Sequence, residues 1–482
     1  MLEKPRELFE RLVADGILLH VFSIGGFILA FFLVARLMSE KRAPANTLAW
    51  LLSIVLVPYV GVPLYLILGT RKLRRVTARK STVRPALPAA AARPARFAQA
   101  PIAHTIVSAG AGPPVAGNTI RFLTTGEDAY AALEKNILAA RHTIHVTTFI
   151  LGRDDTGRRL VQLLAQRARE GIKVRLLLDA VGSVFTSRGF ARPLREAGGE
   201  VGRFLPVMPF TSRGSANLRN HRKIAVFDHS TAIVGGHNLA REYMGPRHDP
   251  RRWHDFGAVV TGPAASLLNE VFIADWCFAT GQADATLRAE IPASVVDSRG
   301  ESELQVVASG PDVPGDPLYE GIVAMIQRTD RSIWIVTPYF IPDDVLLRSL
   351  VVKARSGADV TLIIPARSNH PLVDLARRHY VRELREAGAH VLLFAPGMLH
   401  SKAVIVDDCV ALLGSANFDL RSLFVNFEIG VFVHTAADVQ VMKAWALELT
   451  RHCHESKPRP AKKFHPFGNL LEELSRLLAP LL

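Results

Sequence analysis

The sequence predicts an α/β fold: two similar lobes of alternating strands and helices facing one active site, preceded by an apolar two-helix hairpin. Three observations predict it. Residues 221–228, HRKIAVFD, and 400–407, HSKAVIVD, both read His-x-Lys, four further residues and Asp. The segments that flank these two octamers match one another in the same order. Two long stretches near the N-terminus carry no Asp, Glu, Lys or Arg.

The hairpin comes first in the chain. Residues 16–35 are free of those charges, and ILLHVFSIGGFILAFFLVA is long enough to span a hydrocarbon core. Residues 43–70 are also free of them, and their Pro58, Gly61 and Pro63 are tolerated in membrane helices. A buried soluble hairpin is the competing reading, but two such spans in succession are rare in cores. Arg36, Glu40, Lys41 and Arg42 lie between the spans, and Arg71, Lys72, Arg74, Arg75, Arg79 and Lys80 follow them. The positive-inside bias then puts the N-terminus and the long C-terminal part on the cytosolic side. Residues 1–75 are therefore expected to form a transmembrane hairpin with a basic flank. Residues 76–117 are rich in Ala and Pro without a hydrophobic period and read as a semi-extended linker.

The bulk numbers leave the partner open among nucleic acid, a membrane surface and a phosphorylated substrate. The chain has 482 residues, 49% of them hydrophobic, and a formal net charge of +14. That charge points to an anionic partner. Cys277, Cys409 and Cys453 are far apart, which argues against a disulfide framework or a zinc site and for a reducing, cytosol-facing location.

The globular part is a duplication. IHVTTFI (144–150) matches IWIVTPYFI (333–341), and GIKVRLLLD (171–179) matches GADVTLIIP (357–365). LREAGGEV (194–201) matches LREAGAHV (384–391), and DFGAVV (255–260) matches EIGVFV (428–433). Strands alternate with helices in each half, so the lobes are expected at 118–295 and 296–482.

Alternation along the octamers puts His221 and Lys223 on one strand face, and likewise His400 and Lys402. GGHN (235–238) and GSAN (414–417) follow at equal distances and add Asn238 and Asn417. Two Lys and two Asn make a donor-rich pocket suited to a phosphoryl group. One His can attack phosphorus, while the other protonates the leaving alkoxide and then deprotonates an incoming hydroxyl. The repeat leaves open which His does which. No cluster of His, Asp and Glu accompanies the motif, so Lys is expected to supply the positive charge, with no metal or cofactor. A working His needs an acceptor on its second nitrogen. The repeat nominates Asp255 for His221 and Glu428 for His400. Asp228 and Asp407 fall out of phase with the His/Lys face and are expected to brace backbone.

On these motifs, and on WLLSIVLVPYVGVPLYLILG (50–69), RNHRK (219–223), WHDFGAVVTGP (253–263), TPYFIPD (337–343) and NFDLRSLFVNFE (417–428), the chain resembles the phospholipase D superfamily. Within it, the chain is similar to bacterial cardiolipin synthases with two N-terminal membrane spans. LLEELSRLLAPLL (470–482), which reads as an amphipathic helix, fits as well. One departure is Phe149, where many members carry Tyr. The resemblance implies two phospholipase-D-type lobes around one site, with His221, Lys223, Asp228, His400, Lys402 and Asp407 as the catalytic motif residues. It implies transfer of a phosphatidyl group from one phosphatidylglycerol to another through a phosphohistidine, with release of glycerol. It also implies that the N-terminal His forms the covalent bond. The partners it implies are phosphatidylglycerol and other membrane phospholipids rather than nucleic acid, and its place is the bacterial cytoplasmic membrane. A phospholipase D that delivers the group to water, a nuclease and an inactive membrane scaffold are the competing readings.

Overall fold

The computed structural model describes residues 44–68, 95–186, 189–206, 218–291, 298–313 and 315–456, together with 26, 28–29, 31–35 and 37–38. The chain divides into two units, Met1–Arg71 and Lys72–Leu482.

In the first unit the apolar stretch 43–70 is not one rod. It forms two helices, Pro44–Leu56 and Pro58–Leu68. Pro58 has no N–H to continue the first helix but is favoured at the start of the second. The turn brings Trp50 edge-on to Tyr65, with ring centroids 5.4 Å apart. Gly61 then lies so close to the Ser53 carbonyl that a Cβ there would overlap it. Among the described residues no helix is long and apolar enough to cross a membrane. Much of the expected first span, 16–35, lies outside the described residues, as do 76–94 and the C-terminal segment 470–482.

In the second unit the linker expected over 76–117 gives way to structure at Arg96. A 3-10 turn over Arg96–Gln99 leads into a helix over Pro101–Ser108. Ile102, Ala103 and Ile106 share its buried face, and the two isoleucines join the hydrophobic core of the second lobe. Three apolar residues in an Ala/Pro-rich context are too short a pattern to register as a period, which is why this docked helix reads as linker. The Glu303 carboxylate fastens the turn by accepting from Arg96 N and Phe97 N at 3.0 and 3.1 Å.

The strands of the first lobe are β1 (Val115–Leu123), β2 (Thr143–Thr148), β3 (Lys173–Asp179), β4 (Glu200–Phe204), β5 (Ile224–Phe227), β6 (Thr231–Gly235) and β7 (Gly257–Thr261). Those of the second are β8 (Ser302–Ser309), β9 (Ser332–Val336), β10 (Phe340–Ile341), β11 (Asp359–Pro365), β12 (His390–Phe394), β13 (Ala403–Val406), β14 (Val410–Gly414), β15 (Phe418–Asp419), β16 (Glu428–Val433) and β17 (Cys453–Glu455). Fifteen of them form one sheet, in the order β17-β12-β11-β9-β13-β14-β16-β8-β1-β7-β6-β5-β2-β3-β4. Apart from the edge strand β17, this order is a palindrome about the β8–β1 seam. The duplication in the sequence is thus a pseudo-twofold in space. Asn118 ties the seam, donating to Val115 O and Ser302 O and accepting from Ala264 N. One hydrophobic cluster takes Val226 and Val260 from the first lobe and Ile405 and Val431 from the second, so the lobes share a core.

Within each lobe β2 and β3, or β9 and β11, run parallel, and the octamer strand β5 or β13 runs antiparallel beside them. The start of β5 therefore lies at the C-terminal end of β2, where Ile224 opposes Thr147. In the second lobe Ala403 opposes Val336 in the same way. Both histidines consequently sit at the carboxyl edge of the parallel strands, where open α/β sheets place their sites.

Candidate active site

Just before each octamer strand the chain crosses to the opposite lobe. His221 N donates to Phe427 O at 2.9 Å, and Phe427 N returns a bond to Arg219 O at 2.9 Å. The other copy repeats the exchange: His254 N donates to Met398 O at 2.8 Å, and His400 N to His254 O at 2.7 Å. These two bridges decide the pairing of histidine and carboxylate. His221 Nδ1 lies 3.0 Å from Glu428 Oε1, and His400 Nδ1 lies 2.6 Å from Asp255 Oδ2. The carboxylates are those nominated by the repeat, but each serves the histidine of the other lobe. The expected assignment of Asp255 to His221 and Glu428 to His400 is corrected accordingly. Its physical reason is the backbone exchange, which sets each acid one residue beyond the bridge that carries the partner His.

Each acid is in turn oriented by its own lobe. The Asp255 carboxylate accepts from Phe256 N at 2.8 Å and packs where a Cβ on Gly236 would collide with it. In the second lobe Ser415 stands at the position of Gly236, and its hydroxyl donates to Glu428 Oε2. Both carboxylates are fully buried.

The lysines lie under the histidines. Lys223 Nζ donates to His221 O at 2.6 Å and stands 5.6 Å from the Phe149 ring centroid. Lys402 Nζ sits 3.1 Å from His400 Nε2 and also contacts the His400 carbonyl. Burial, with Lys402 adding repulsion, pushes the Lys223 ammonium down to about 7, against the pull of Glu428. Burial likewise takes Lys402 down to about 8, opposed by Asp255 and Glu428. His400 is driven down to about 3, by burial and then by Lys402, and His221 is lowered mainly by burial. Burial raises Asp255, but the contact with His400, including its hydrogen bond, and the charge of Lys402 outweigh it and hold this acid well below the usual carboxylate range.

The chemical consequence is direct. At neutral pH both imidazoles are uncharged. Their Nδ1–H groups are held by carboxylates; the Nε2 lone pair of His221 is left to react, and that of His400 faces Lys402 Nζ at 3.1 Å. Aromatic rings wall the site: Phe149 edge-on to His221 at 5.1 Å, with Tyr243 and Trp253 at 5.0 and 5.4 Å from His400.

Asn238 and Asn417 differ in what they offer. Asn238 Oδ1 accepts from Ile150 N at 3.1 Å and so holds the loop that carries Phe149. Its buried Nδ2 lies near the Tyr243 hydroxyl and completes no hydrogen bond of normal geometry, which makes it a donor in reserve. The Asn417 amide faces the Asp419 carboxylate instead.

The structure does not bring Asp228 and Asp407 to the histidines. Asp228 accepts from Arg141 N, His142 N and Thr143 N at 2.7, 2.7 and 2.9 Å. Asp407 accepts from Asp330 N, Arg331 N and Ser332 N at 2.7, 2.8 and 2.7 Å. Both occupy the left-handed region, φ 48° and 49°, at the hairpin turn on the far end of the octamer strand.

One participant escapes the linear reading. Arg222 lies between His221 and Lys223 and points to the opposite face. It pairs with Asp275 at 2.6 Å and donates to Glu428 O and Ser309 O, each at 2.9 Å. The backbone of the acid that orients His221 is thereby pinned across the lobe boundary. RNHRK holds this residue, but nothing in the pattern announces its partner. Among the described residues no group of three or more His, Cys, Asp or Glu is arranged to hold a metal.

Comparison with known proteins places these features. The family "Cardiolipin synthase, PLD-like domain" matches residues 133–276 and 322–450, one segment per lobe, and "Phospholipase D-nuclease N-terminal" matches 27–69. A cardiolipin synthase of Geobacillus thermodenitrificans is 35% identical over 97% of this chain and 95% of its own length. Cardiolipin synthase 2 of Bacillus anthracis is 36% identical over 75% of this chain and 70% of its own. Among solved structures, phosphatidylserine synthase of Haemophilus influenzae superposes with a TM-score of 0.60, covering 79% of this chain and 98% of that one. At 16% identity that likeness concerns the fold.

Proposed function

This chain belongs to the cardiolipin synthases of the phospholipase D superfamily, and we propose that His221 and His400 divide its phosphatidyl transfer between them. The activity is transfer of a phosphatidyl group from one phosphatidylglycerol to another with release of glycerol. The observation that carries the division of labour is the pair of buried, cross-lobe His–carboxylate contacts in one site.

The first phosphatidylglycerol brings its phosphodiester between the lysines, whose N–H donors neutralise the non-bridging oxygens. That negative charge also raises the basicity of His400, which picks up a proton at Nε2. His221 Nε2 attacks phosphorus. The phosphorus–oxygen bond to glycerol breaks, and His400 gives its proton to the leaving alkoxide. The product is a phosphatidyl-His221 enzyme and free glycerol. A glycerol hydroxyl of the second phosphatidylglycerol then loses its proton to His400 and attacks phosphorus, which releases cardiolipin and restores both histidines. Glu428 and Asp255 stabilise the imidazolium character that develops on their partners. Assigning attack to His221 follows the family resemblance, in which the N-terminal copy forms the bond. Asn238 Nδ2 is the better placed of the two amides to serve the phosphoryl group. Asp228 and Asp407 act on the strand hairpins alone.

Residues 1–75 are assigned to the membrane anchor and the two lobes to its cytosolic side. The apolar, uncharged stretches and the basic residues that follow them support this, as does the likeness of 27–69 to the N-terminal segment of related enzymes. Incubation of the purified full chain with headgroup- and acyl-labelled phosphatidylglycerol tests the reading. A lipid with two phosphates plus glycerol is expected. Phosphatidic acid plus glycerol as the only products would make the enzyme a hydrolase.

A further inference from the structure

The carboxyl edge that holds the histidines also holds a set of apolar side chains with no cover. Val181, Val184 and Phe185 follow β3 and are 43%, 50% and 83% exposed. At the corresponding exit of β11 in the second lobe Leu372 is 53% exposed, and Val345, after β9, is 51% exposed. Large apolar residues left exposed after the strands that carry the site are a signature of an interaction surface.

The first of these loops is held firmly. Asp179 Oδ1 accepts from Val181 N and Gly182 N, both at 2.9 Å. The Ser183 hydroxyl donates to Phe149 O at 2.8 Å and accepts from Leu151 N at 2.9 Å. Thr186 Oγ1 donates to Leu151 O at 2.8 Å. The segment so fastened carries Phe149, which covers His221. The fold therefore presents Phe185 to solvent on a braced loop that is continuous with the wall of the site. Asp179 also accepts from Asn220 N at 2.9 Å, one residue before His221.

Charge selects the partner. Residues 180–192 contain two arginines and no acidic residue. In the second lobe, residues 366–378 contain Arg367, Arg377 and Arg378 against a single Asp374, which accepts from Ser368 N and pairs with Arg377. Arg377 is buried and Arg192 pairs with Glu196, which among the described residues leaves Arg367 and Arg378, both exposed near Leu372 in the chain. Apolar side chains beside such cations fit the headgroup layer of an anionic bilayer, with the apolar groups in the acyl boundary and the guanidiniums at the phosphates.

We infer that the rim formed by residues 181–185 and Leu372 docks on the anionic lipid surface, so that a phosphatidylglycerol headgroup passes from the bilayer into the site without crossing bulk water. The inference rests on the phospholipid-transferase reading given above, and it assigns the catalytic unit a second membrane contact, separate from the N-terminal anchor.

The test uses the full chain reconstituted in phosphatidylcholine vesicles and two forms of substrate. One is long-chain phosphatidylglycerol embedded in the same bilayer, and the other is a short-chain, water-soluble phosphatidylglycerol below its micelle concentration. Phe185→Asp and Leu372→Asp are expected to lower turnover of the embedded lipid roughly tenfold or more, the equivalent of withdrawing one large apolar side chain from the interface. Turnover of the soluble lipid should stay near wild type, which also shows that the variants are folded. Equal loss on both substrates would make the rim part of the substrate pocket and overturn the inference, as would no loss on either. Phe185→Trp gives a reading independent of turnover. Its emission should be quenched by brominated acyl chains in phosphatidylglycerol-containing vesicles beyond the quenching of the native tryptophans. Absence of added quenching overturns the inference even if synthase activity is confirmed. Quenching without turnover of either lipid would instead fault the functional reading alone.

Discussion

At the scale of single residues, the crossed pairing of histidine and acid makes an asymmetric prediction. With a phosphatidyl donor whose leaving group needs no proton, Glu428→Gln should slow formation of the covalent adduct, because Glu428 holds the attacking His221. Asp255→Asn should leave formation intact and slow transfer to the acceptor, because Asp255 holds His400. Each effect should amount to about 10²–10⁴-fold. Intact-protein mass spectrometry over time separates the two, and the reverse pattern would make His400 the nucleophile. The lysines predict the pH dependence. A lysine lowered by burial is charged below its folded value and loses that charge as pH rises through it. The specificity constant for phosphatidylglycerol should therefore fall on the alkaline side between about 7 and 8, where Lys223 and Lys402 titrate in the free enzyme. A profile that stays flat up to the ordinary lysine value of about 10 would contradict this. The histidines and lysines are legible in the sequence because the octamer recurs with its downstream Asn. The acids are legible as types but not as partners. A linear comparison aligns Asp255 with His221 inside one repeat, whereas the bridges from Phe427 to His221 and from His254 to His400 form only on closure of the lobes.

At the scale of elements, the conserved geometry of the two octamer hairpins explains why their Asp is present in both copies. The turn places Asp228 and Asp407 at positive φ, and each carboxylate gathers three backbone N–H groups from the start of the neighbouring strand. Desolvation raises Asp407, but bonds from Asp330, Ser332 and Arg331 outweigh it and leave the acid below its usual value. Its contribution is therefore complete above the unfolded carboxylate range and is lost as pH falls through the lower, folded value. Asp407→Asn should destabilise the second unit by roughly 1–3 kcal/mol at pH 7, the scale of orphaned donors. Thermal melts from pH 7 down to pH 3 should show the gap between wild type and variant shrinking, and a gap independent of pH would remove the ionic part of the account. Out-of-phase position in the strand is enough to read this bracing role from sequence. The docked helix Pro101–Ser108 is not readable in the same way. Its signal is Ile102, Ala103 and Ile106 alone, and its partner surface lies on a lobe far along the chain. The break at Pro58 is visible as a residue, but its consequence depends on Gly61 approaching Ser53.

At the scale of the whole molecule, the two lobes are one catalytic unit by construction. The sheet runs unbroken through the β8–β1 seam, and the central core draws side chains from both sides. Arg222 joins Asp275 of the first lobe to the backbone of Ser309 and Glu428 in the second. A lobe on its own would expose that shared core and leave its histidine without an acid, while its own acid stayed buried without a histidine. Duplicated sequence therefore does not mean duplicated function. Two halves encoded separately, with the break placed in 292–297, should each be inactive alone, below about one part in 10⁴ of the intact enzyme, since neither holds an oriented nucleophile together with a general acid. Produced together in one cell, they should copurify and regain turnover of phosphatidylglycerol, because the seam and the shared core lie between them rather than within either. A first half that turned over lipid by itself would show that two copies of one lobe can build the site, with His221 of each copy served by Asp255 of the other, and the second lobe would then be dispensable. Co-produced halves that associate yet stay inactive would locate the requirement in chain continuity, and the seam would no longer account for closure of the site.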